Sequence, residues 1–149
     1  MIYDSGSDWP ILGAALKPRL LPADCRALDF GCGTGRFTRR IAELVHGHCV
    51  GYDPAGKFDG EQPEYVTMTQ TWPEGRFDVV FVADVLGRMD WDGVGEAAER
   101  IRHALRPKGL LFMAEGGDRK YESLFEGTGP VESYLTPKGW VTIYAGRVG

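Results

Sequence analysis

Residues 27–40 read Ala-Leu-Asp-Phe-Gly-Cys-Gly-Thr-Gly-Arg-Phe-Thr-Arg-Arg, and the rest of the chain is interpreted from this stretch. A short apolar run ends in an acid, changes to alternating glycines and continues with apolar residues at helical spacing, Phe37, Ile41, Leu44 and Val45. Glycines let the backbone turn sharply and leave no Cβ between it and a ligand. The stretch therefore predicts a strand, a glycine turn and a helix, the first unit of a nucleotide-binding α/β sheet.

The glycine spacing argues against a dinucleotide cofactor. That fingerprint is G-x-G-x-x-G, whereas Gly31, Gly33 and Gly35 form G-x-G-x-G and Arg36 takes the sixth position. A large side chain there would crowd the contact between helix and strand. Asp29, two residues before the first glycine, is an unfavourable neighbour for a pyrophosphate and a favourable one for an ammonium or sulfonium group.

Further strands follow in the order of a parallel α/β sheet. Residues 49–52 predict a second strand, and Asp53 comes directly after it, near the offset of an acid that binds ribose hydroxyls. A solvated aspartate at a strand end is the alternative. Third and fifth strands are expected at 65–68 and 110–115. The near-continuous apolar run 77–83 is typical of a central parallel strand.

Two further helices and several connections are expected around these strands. Helical spacing over 10–20 predicts a helix after a flexible lead-in at 1–9, and the stripe Val94, Ala97, Ala98, Ile101 and Leu105 predicts another, with Asp92 as its cap. The connection between the third and fourth strands is too short for the usual helix. In the tail we expect a short helix over 119–125 and an antiparallel hairpin of 131–135 with 141–148.

The stretch Leu28–Gly35 resembles the first motif of the Rossmann-like S-adenosylmethionine-dependent methyltransferases, L-D-x-G-C-G-T-G. The strand at 77–83 and the Leu-Arg-Pro-Lys-Gly run at 105–109 are also similar to this family. The resemblance implies an α/β fold: a Rossmann-like three-layer sandwich in which a mostly parallel central sheet closes with a C-terminal antiparallel hairpin. It further implies one domain over residues 1–149 and S-adenosylmethionine as the cofactor.

The resemblance also implies roles for named residues. Asp29 and the backbone around Gly31 and Gly33 would hold the methionine end, and Asp53 would bind the ribose, with Pro54 shaping the turn behind it. Residues near adenine would come from 70–72, although Trp72 could equally be a core aromatic. The implied cofactor contacts are Asp29, Gly31, Cys32, Gly33, Gly35, Asp53, Pro54, Gln70, Thr71, Trp72, Ala83, Asp84 and Val85.

Catalysis in this family needs little beyond alignment of the activated methyl group with its acceptor, a contribution of up to about 7–11 kcal/mol. The candidate catalytic residues are Asp84, Tyr3 and Arg88, and Asp90 and Glu115 are further acids at strand ends. Many relatives carry a histidine after the fourth strand, where this chain has Gly87-Arg88. That departure fits an already nucleophilic acceptor. It equally fits an inactive cofactor-binding partner or regulatory domain, the alternative function.

Composition narrows the partners of this 149-residue chain. The formal net charge is −4, and no cluster of Lys and Arg forms a nucleic-acid stripe, so nucleic acid is disfavoured. No apolar run approaches the roughly 20 residues of a membrane span. The three cysteines are odd in number and lack metal-ligand spacing, and His46 and His48 have no accompanying ligand group, so we predict no metal and a reducing, cytoplasmic location. Little chain remains for a recognition domain, which favours a small-molecule acceptor and leaves a protein partner or a homodimer open.

Overall fold

The chain forms a seven-stranded sheet in a computed structural model that describes residues 21–58, 60–83, 85–116, 121–136 and 139–148. Short 3-10 helices lie at Leu86–Arg88 and Glu122–Leu124. In chain order the other elements are β1 (Arg26–Phe30), α1 (Arg36–Val45), β2 (His48–Tyr52), β3 (Val66–Thr69), β4 (Phe77–Ala83), α2 (Trp91–Ala104), β5 (Leu105–Gly116), β6 (Thr128–Thr136) and β7 (Gly139–Val148).

The strand order β3-β2-β1-β4-β5-β7-β6 confirms the predicted architecture. The first five strands of this order pair in parallel, whereas β7 is antiparallel to both β5 and β6. The chain runs from β1 outward to β3 and then returns to the other side of β1 with β4. In open α/β sheets, the crevice outside the carboxyl ends of strands at such a reversal is where ligands bind.

Among the described residues, one helix covers each face of the sheet. Phe37 and Ile41 of α1 pack on one face with Ala27 and Val79, whereas Ile101 of α2 belongs to the cluster on the opposite face. Alternate residues of a strand point to opposite faces, so the buried strands supply both clusters. In the described part of the chain, neither helix is long and apolar enough to cross a membrane.

The start of α2 corrects one prediction. Asp90, not Asp92, caps the helix, because its backbone is extended and its carboxylate accepts a hydrogen bond from Gly93 N–H at 2.7 Å. Asp92 lies inside the first turn. Both acids precede the apolar stripe, and the backbone turn at residue 90, which periodicity does not reveal, decides which of them caps the helix.

The connection between β3 and β4 confirms the predicted loss of a helix. Residues 70–76, all of which the structure describes, contain none. Trp72 from this segment packs against Phe30 and Tyr52, with ring centroids 6.1 and 5.0 Å away. An indole ring thus covers part of the sheet face that a helix would otherwise cover.

The ends of the chain match the predictions less closely. Among residues 121–125, the expected short helix is only the 3-10 turn Glu122–Leu124, and residues 117–120 lie outside the described residues. The hairpin is present as β6 and β7, with longer strands than predicted. The predicted lead-in at 1–9 and helix at 10–20 lie outside the described residues.

The three cysteines are free and buried. Cys25 and Cys49 are 0% exposed and Cys32 is 4% exposed. Cys25 and Cys49 belong to the core cluster beneath α1, where each acts as a small apolar side chain.

Candidate functional site

The loop between β1 and α1 is a tight turn that only glycine fits at its start. Gly31 has a φ of +79°, and a Cβ added there would lie 2.5 Å from Val85 Cγ2. The N–H groups of Gly31 and Cys32 both donate to Tyr52 O, at 2.7 and 3.1 Å. The loop is therefore fixed against the end of β2 on one side and against the segment after β4 on the other.

Asp53 follows β2, and its carboxylate is joined to the glycine loop. Gly33 N–H donates to Oδ2 and Ala55 N–H donates to Oδ1, both at 2.9 Å. A carboxylate has about four acceptor sites, so two donors fix its orientation and leave capacity for others. A Cβ added at Gly33 would meet nothing within 4 Å, so open space adjoins the loop at this point.

A cavity of about 770 Å³ opens at the carboxyl ends of β1, β2 and β4. Small-molecule sites have volumes of about 300–1,000 Å³. The cavity lies where the strand order reverses, as expected for a ligand site in this architecture. Its walls are Phe30, Gly31, Gly33, Tyr52, Asp53, Pro54, Ala83, Val85, Arg88, Met89, Asp90, Gly93, Glu96, Ala97 and Arg100.

Asp29 is buried between β1 and α1 and is not part of the cavity wall. It is 3% exposed, and Thr38 Oγ1 donates to its Oδ2 at 2.7 Å. Burial raises the pKa of this carboxyl to about 7; the Thr38 hydrogen bond opposes the shift, and the Asp53 charge adds to it. A cation bound beside the glycine loop would favour the ionised form of Asp29.

The segment after β4 is held by a buried carboxylate at the end of β5. Glu115 is 2% exposed. Val85 N–H donates to its Oε1 and Oε2 at 3.0 and 3.1 Å, and Gly87 N–H donates to Oε1 at 3.0 Å. The Glu115 oxygens thus fix the backbone of residues 85–87, which places the Val85 side chain against Gly31.

The cavity brings together part of the predicted cofactor set. Of the other members, Cys32 is buried in the loop, and a Cβ added at Gly35 would clash with the Met68 side chain. Asp84 and the catalytic candidate Tyr3 lie outside the described residues. The predicted residues in the wall are Gly31, Gly33, Asp53, Pro54, Ala83, Val85 and the catalytic candidate Arg88.

The three residues expected near adenine form contacts next to the cavity rather than in its wall. Gln70 Nε2 donates to Gly56 O at 2.9 Å. Thr71 N–H donates to Thr69 Oγ1 at 3.1 Å. Trp72 packs against Phe30 and Tyr52.

Sequence reasoning missed the wall formed by α2 and the strand-end aromatics. The short connection between β3 and β4 could have indicated this wall. Without a helix in that connection, space is left beside α2 on the same face of the sheet. The residues missed are Phe30, Tyr52, Met89, Gly93, Glu96, Ala97 and Arg100.

A family model described as a methyltransferase domain matches residues 11–127. In sequence, the chain is 32% identical over 104 residues to N-terminal Xaa-Pro-Lys N-methyltransferase 1 of Danio rerio. The match covers 60% of this chain and 46% of that protein. The chain therefore spans about half the length of this curated relative.

Solved methyltransferase structures share the fold. The N-methyltransferase NodS of Bradyrhizobium japonicum WM9 has a TM-score of 0.70 at 16% identity and covers 96% of this chain and 94% of its own. Magnesium protoporphyrin IX methyltransferase of Synechocystis PCC 6803, solved with bound SAM, has a TM-score of 0.74 at 15% identity over 97% of this chain and 79% of its own. The Burkholderia thailandensis 1,6-didemethyltoxoflavin-N1-methyltransferase, solved with S-adenosylhomocysteine, has a TM-score of 0.66 at 20% identity over 93% and 75%.

Proposed function

The chain belongs to the methyltransferase domain family, and from this premise we propose that it transfers a methyl group from S-adenosylmethionine to a small-molecule acceptor. One observation carries the proposal: the Asp53 carboxylate, oriented by Gly33 N–H, lies in the same cavity wall as the glycine loop and the end of β4. Two of the structural neighbours are named for small acceptors, didemethyltoxoflavin and magnesium protoporphyrin.

The residues present fit the cofactor. Asp53 retains acceptor capacity for the two ribose hydroxyls, a charge-assisted pairing, and the open space at Gly33 lets a ligand approach the backbone. Val85 and Ala83 supply apolar wall beside the loop. We assign the ribose to Asp53 and Pro54 and the methionine end to the backbone at Gly31 and Gly33, with Asp29 acting on it through its charge.

When bound, the cofactor supplies a methyl group already activated by the adjacent sulfonium. The chain's own contribution is then to align the acceptor and exclude water, which by itself lowers the barrier by several kcal/mol, up to about 7–11. Gly87-Arg88 stands where many relatives carry a histidine after the fourth strand. From this departure we infer an acceptor whose attacking atom is already nucleophilic.

Calorimetry with S-adenosylhomocysteine tests the cofactor, and a coupled assay for its release tests turnover. We expect binding at micromolar concentrations and release that depends on an added small acceptor. Absence of binding to folded protein at high micromolar ligand would exclude the proposal. Binding without turnover would favour the inactive regulatory alternative, and methylation of a Xaa-Pro-Lys peptide alone would overturn the small-molecule acceptor.

A further inference from the structure

The cavity continues away from the cofactor-binding residues along one face of α2. Gly93, Ala97 and Arg100 follow each other at intervals of one turn and line it together with Glu96. On the facing side, the buried rings of Phe30 and Tyr52 form the wall. The space exists because residues 70–76 do not form a helix on this face of the sheet.

Arg100, an exposed residue of α2, contacts Trp72 at this part of the cavity wall. Its guanidinium carbon lies 5.4 Å from the centre of the Trp72 ring, within the range of a cation–π contact, and Trp72 in turn packs on Tyr52. Arg102 on the same helix donates to Leu124 O and to Glu99. By contrast, Arg100 makes no hydrogen bond or ion pair with any other described residue, so its N–H groups are available at the cavity.

From this arrangement we propose that Arg100 is a specificity-determining residue that binds an anionic group of the methyl acceptor. A guanidinium presents a planar fork of N–H donors that matches a carboxylate or phosphate. The Phe30 and Tyr52 walls suit an apolar, aromatic body, which places the anionic group at the cavity mouth and the rest of the molecule nearer the cofactor. This inference rests on the proposed function.

Other charged residues share the wall with Arg100. Asp90 and Glu96 are acids, and Glu96 lies one turn before Arg100 on the same face of α2, so an anion near them would be repelled. Arg88 is a second cation of the wall, nearer the end of β4. The acceptor class is therefore an aromatic molecule with a negative group at Arg100.

Benzoate is the probe, and neutral benzamide and inorganic phosphate are its matched comparisons. Protein saturated with S-adenosylhomocysteine is titrated with each while side-chain NMR signals of Arg100 are followed. We expect benzoate to shift these signals and to bind at least about tenfold more tightly than benzamide. Phosphate binding more tightly than benzoate would overturn the inference that the anionic group is carried on an aromatic molecule. Equal binding of benzoate and benzamide would overturn the inference.

Variants separate this inference from the proposed function. Arg100→Gln is expected to abolish the preference for benzoate over benzamide, and Arg100→Lys to retain part of it, because lysine keeps the charge without the fork. Arg147→Gln, an equal change of charge on β7 outside the cavity, should behave as wild type. Thermal melting checks that each variant folds.

Calorimetry with S-adenosylhomocysteine on the same proteins supplies the second measurement. Unchanged cofactor affinity in Arg100→Gln with a lost benzoate preference supports the inference. A preference that survives in Arg100→Gln overturns it and leaves the proposed function intact, whereas failure of S-adenosylhomocysteine to bind any variant rejects the proposed function itself.

Discussion

Asp53 is the residue on which cofactor affinity is expected to depend most. Asp53→Ala removes the carboxylate that Gly33 N–H and Ala55 N–H orient. Hydrogen bonds to a charged group contribute about 1.5–3 kcal/mol each, so we expect the affinity for S-adenosylhomocysteine to fall at least about tenfold by calorimetry. Asp92→Ala, which removes an exposed acid of α2, serves as the control. Equal affinities in the two variants would contradict the assignment of the ribose to Asp53.

Asp29 predicts a pH dependence of stability with a definite sign. Burial raises the pKa of this carboxyl from 3.8 to about 7, so between these values the folded protein binds more protons than the unfolded chain. The contribution of Asp29 to the free energy of unfolding is therefore full below about pH 3.8 and is lost as the pH rises through 7. Above pH 7 the Asp29 carboxylate becomes a buried charge that the Asp53 carboxylate repels.

Asp29→Asn removes this dependence and keeps an oxygen that can accept from Thr38. Urea unfolding from pH 5 to 8 should show wild type losing stability relative to the variant, by on the order of 1 kcal/mol or more, since each unit of pKa shift corresponds to about 1.4 kcal/mol. Parallel curves for the two proteins would show that the Asp29 pKa is not raised by folding.

At the scale of elements, Glu115 couples the end of β5 to the segment after β4. Glu115→Ala leaves the N–H groups of Val85 and Gly87 without their acceptor, and we expect a loss of about 1–3 kcal/mol in the free energy of unfolding. We also expect weaker binding of S-adenosylhomocysteine, because Val85 would no longer be held against Gly31. Glu43→Gln on the exposed side of α1 is the control.

Glu115→Gln distinguishes a positioning role from a purely structural one. Its single carbonyl oxygen can accept from Val85 N–H or Gly87 N–H, so cofactor affinity should recover partly. If Glu115→Ala lowered stability while cofactor affinity stayed at the wild-type value, the positioning role would be rejected.

Elements whose signals are local were predictable from the sequence. The β1–glycine–α1 unit, the apolar β4 and the stripe of α2 follow from periodicity. The structure confirms them except at Leu105, which the stripe assigns to the helix but which begins β5. The sequence does not distinguish the predicted cap Asp92 from the actual cap Asp90, because both acids precede the stripe and only the backbone turn selects between them. Arg100 was missed for a related reason: its place in the cavity depends on Trp72, which is distant in sequence.

In the molecule as a whole, Trp72 covers part of the sheet face that no helix between β3 and β4 covers. Trp72→Ala would uncover Phe30 and Tyr52 and remove the support of Arg100, so we expect a loss of about 2–4 kcal/mol in the free energy of unfolding, measured in urea. Trp91→Ala is the matched control, because Trp91 is 49% exposed, and we expect it to cost less than about 1 kcal/mol. Equal losses would show that Trp72 has no special part in closing the sheet face.

The sheet as a whole was more predictable than the cavity it supports. Strand order and the antiparallel end follow from the family resemblance carried by Leu28–Gly35, and the missing connector follows from the spacing of β3 and β4. The roles of Gln70 and Thr71 stay predictions, since in the structure both form local hydrogen bonds beside the wall. Side-chain partners of this kind are set by tertiary contacts, which periodicity and spacing do not encode.

The buried cysteines provide a built-in measure of how often the structure opens. Burial raises the pKa of the Cys25 thiol to about 11 and that of Cys32 to about 12, and it raises the pKa of Cys49 well above its ordinary value. Electrophiles attack the thiolate, so a maleimide or an aromatic disulfide reagent added at neutral pH must wait for the sheet to open. The modification rate of Cys49 would then report the frequency with which the core of the sheet opens, without any engineered label.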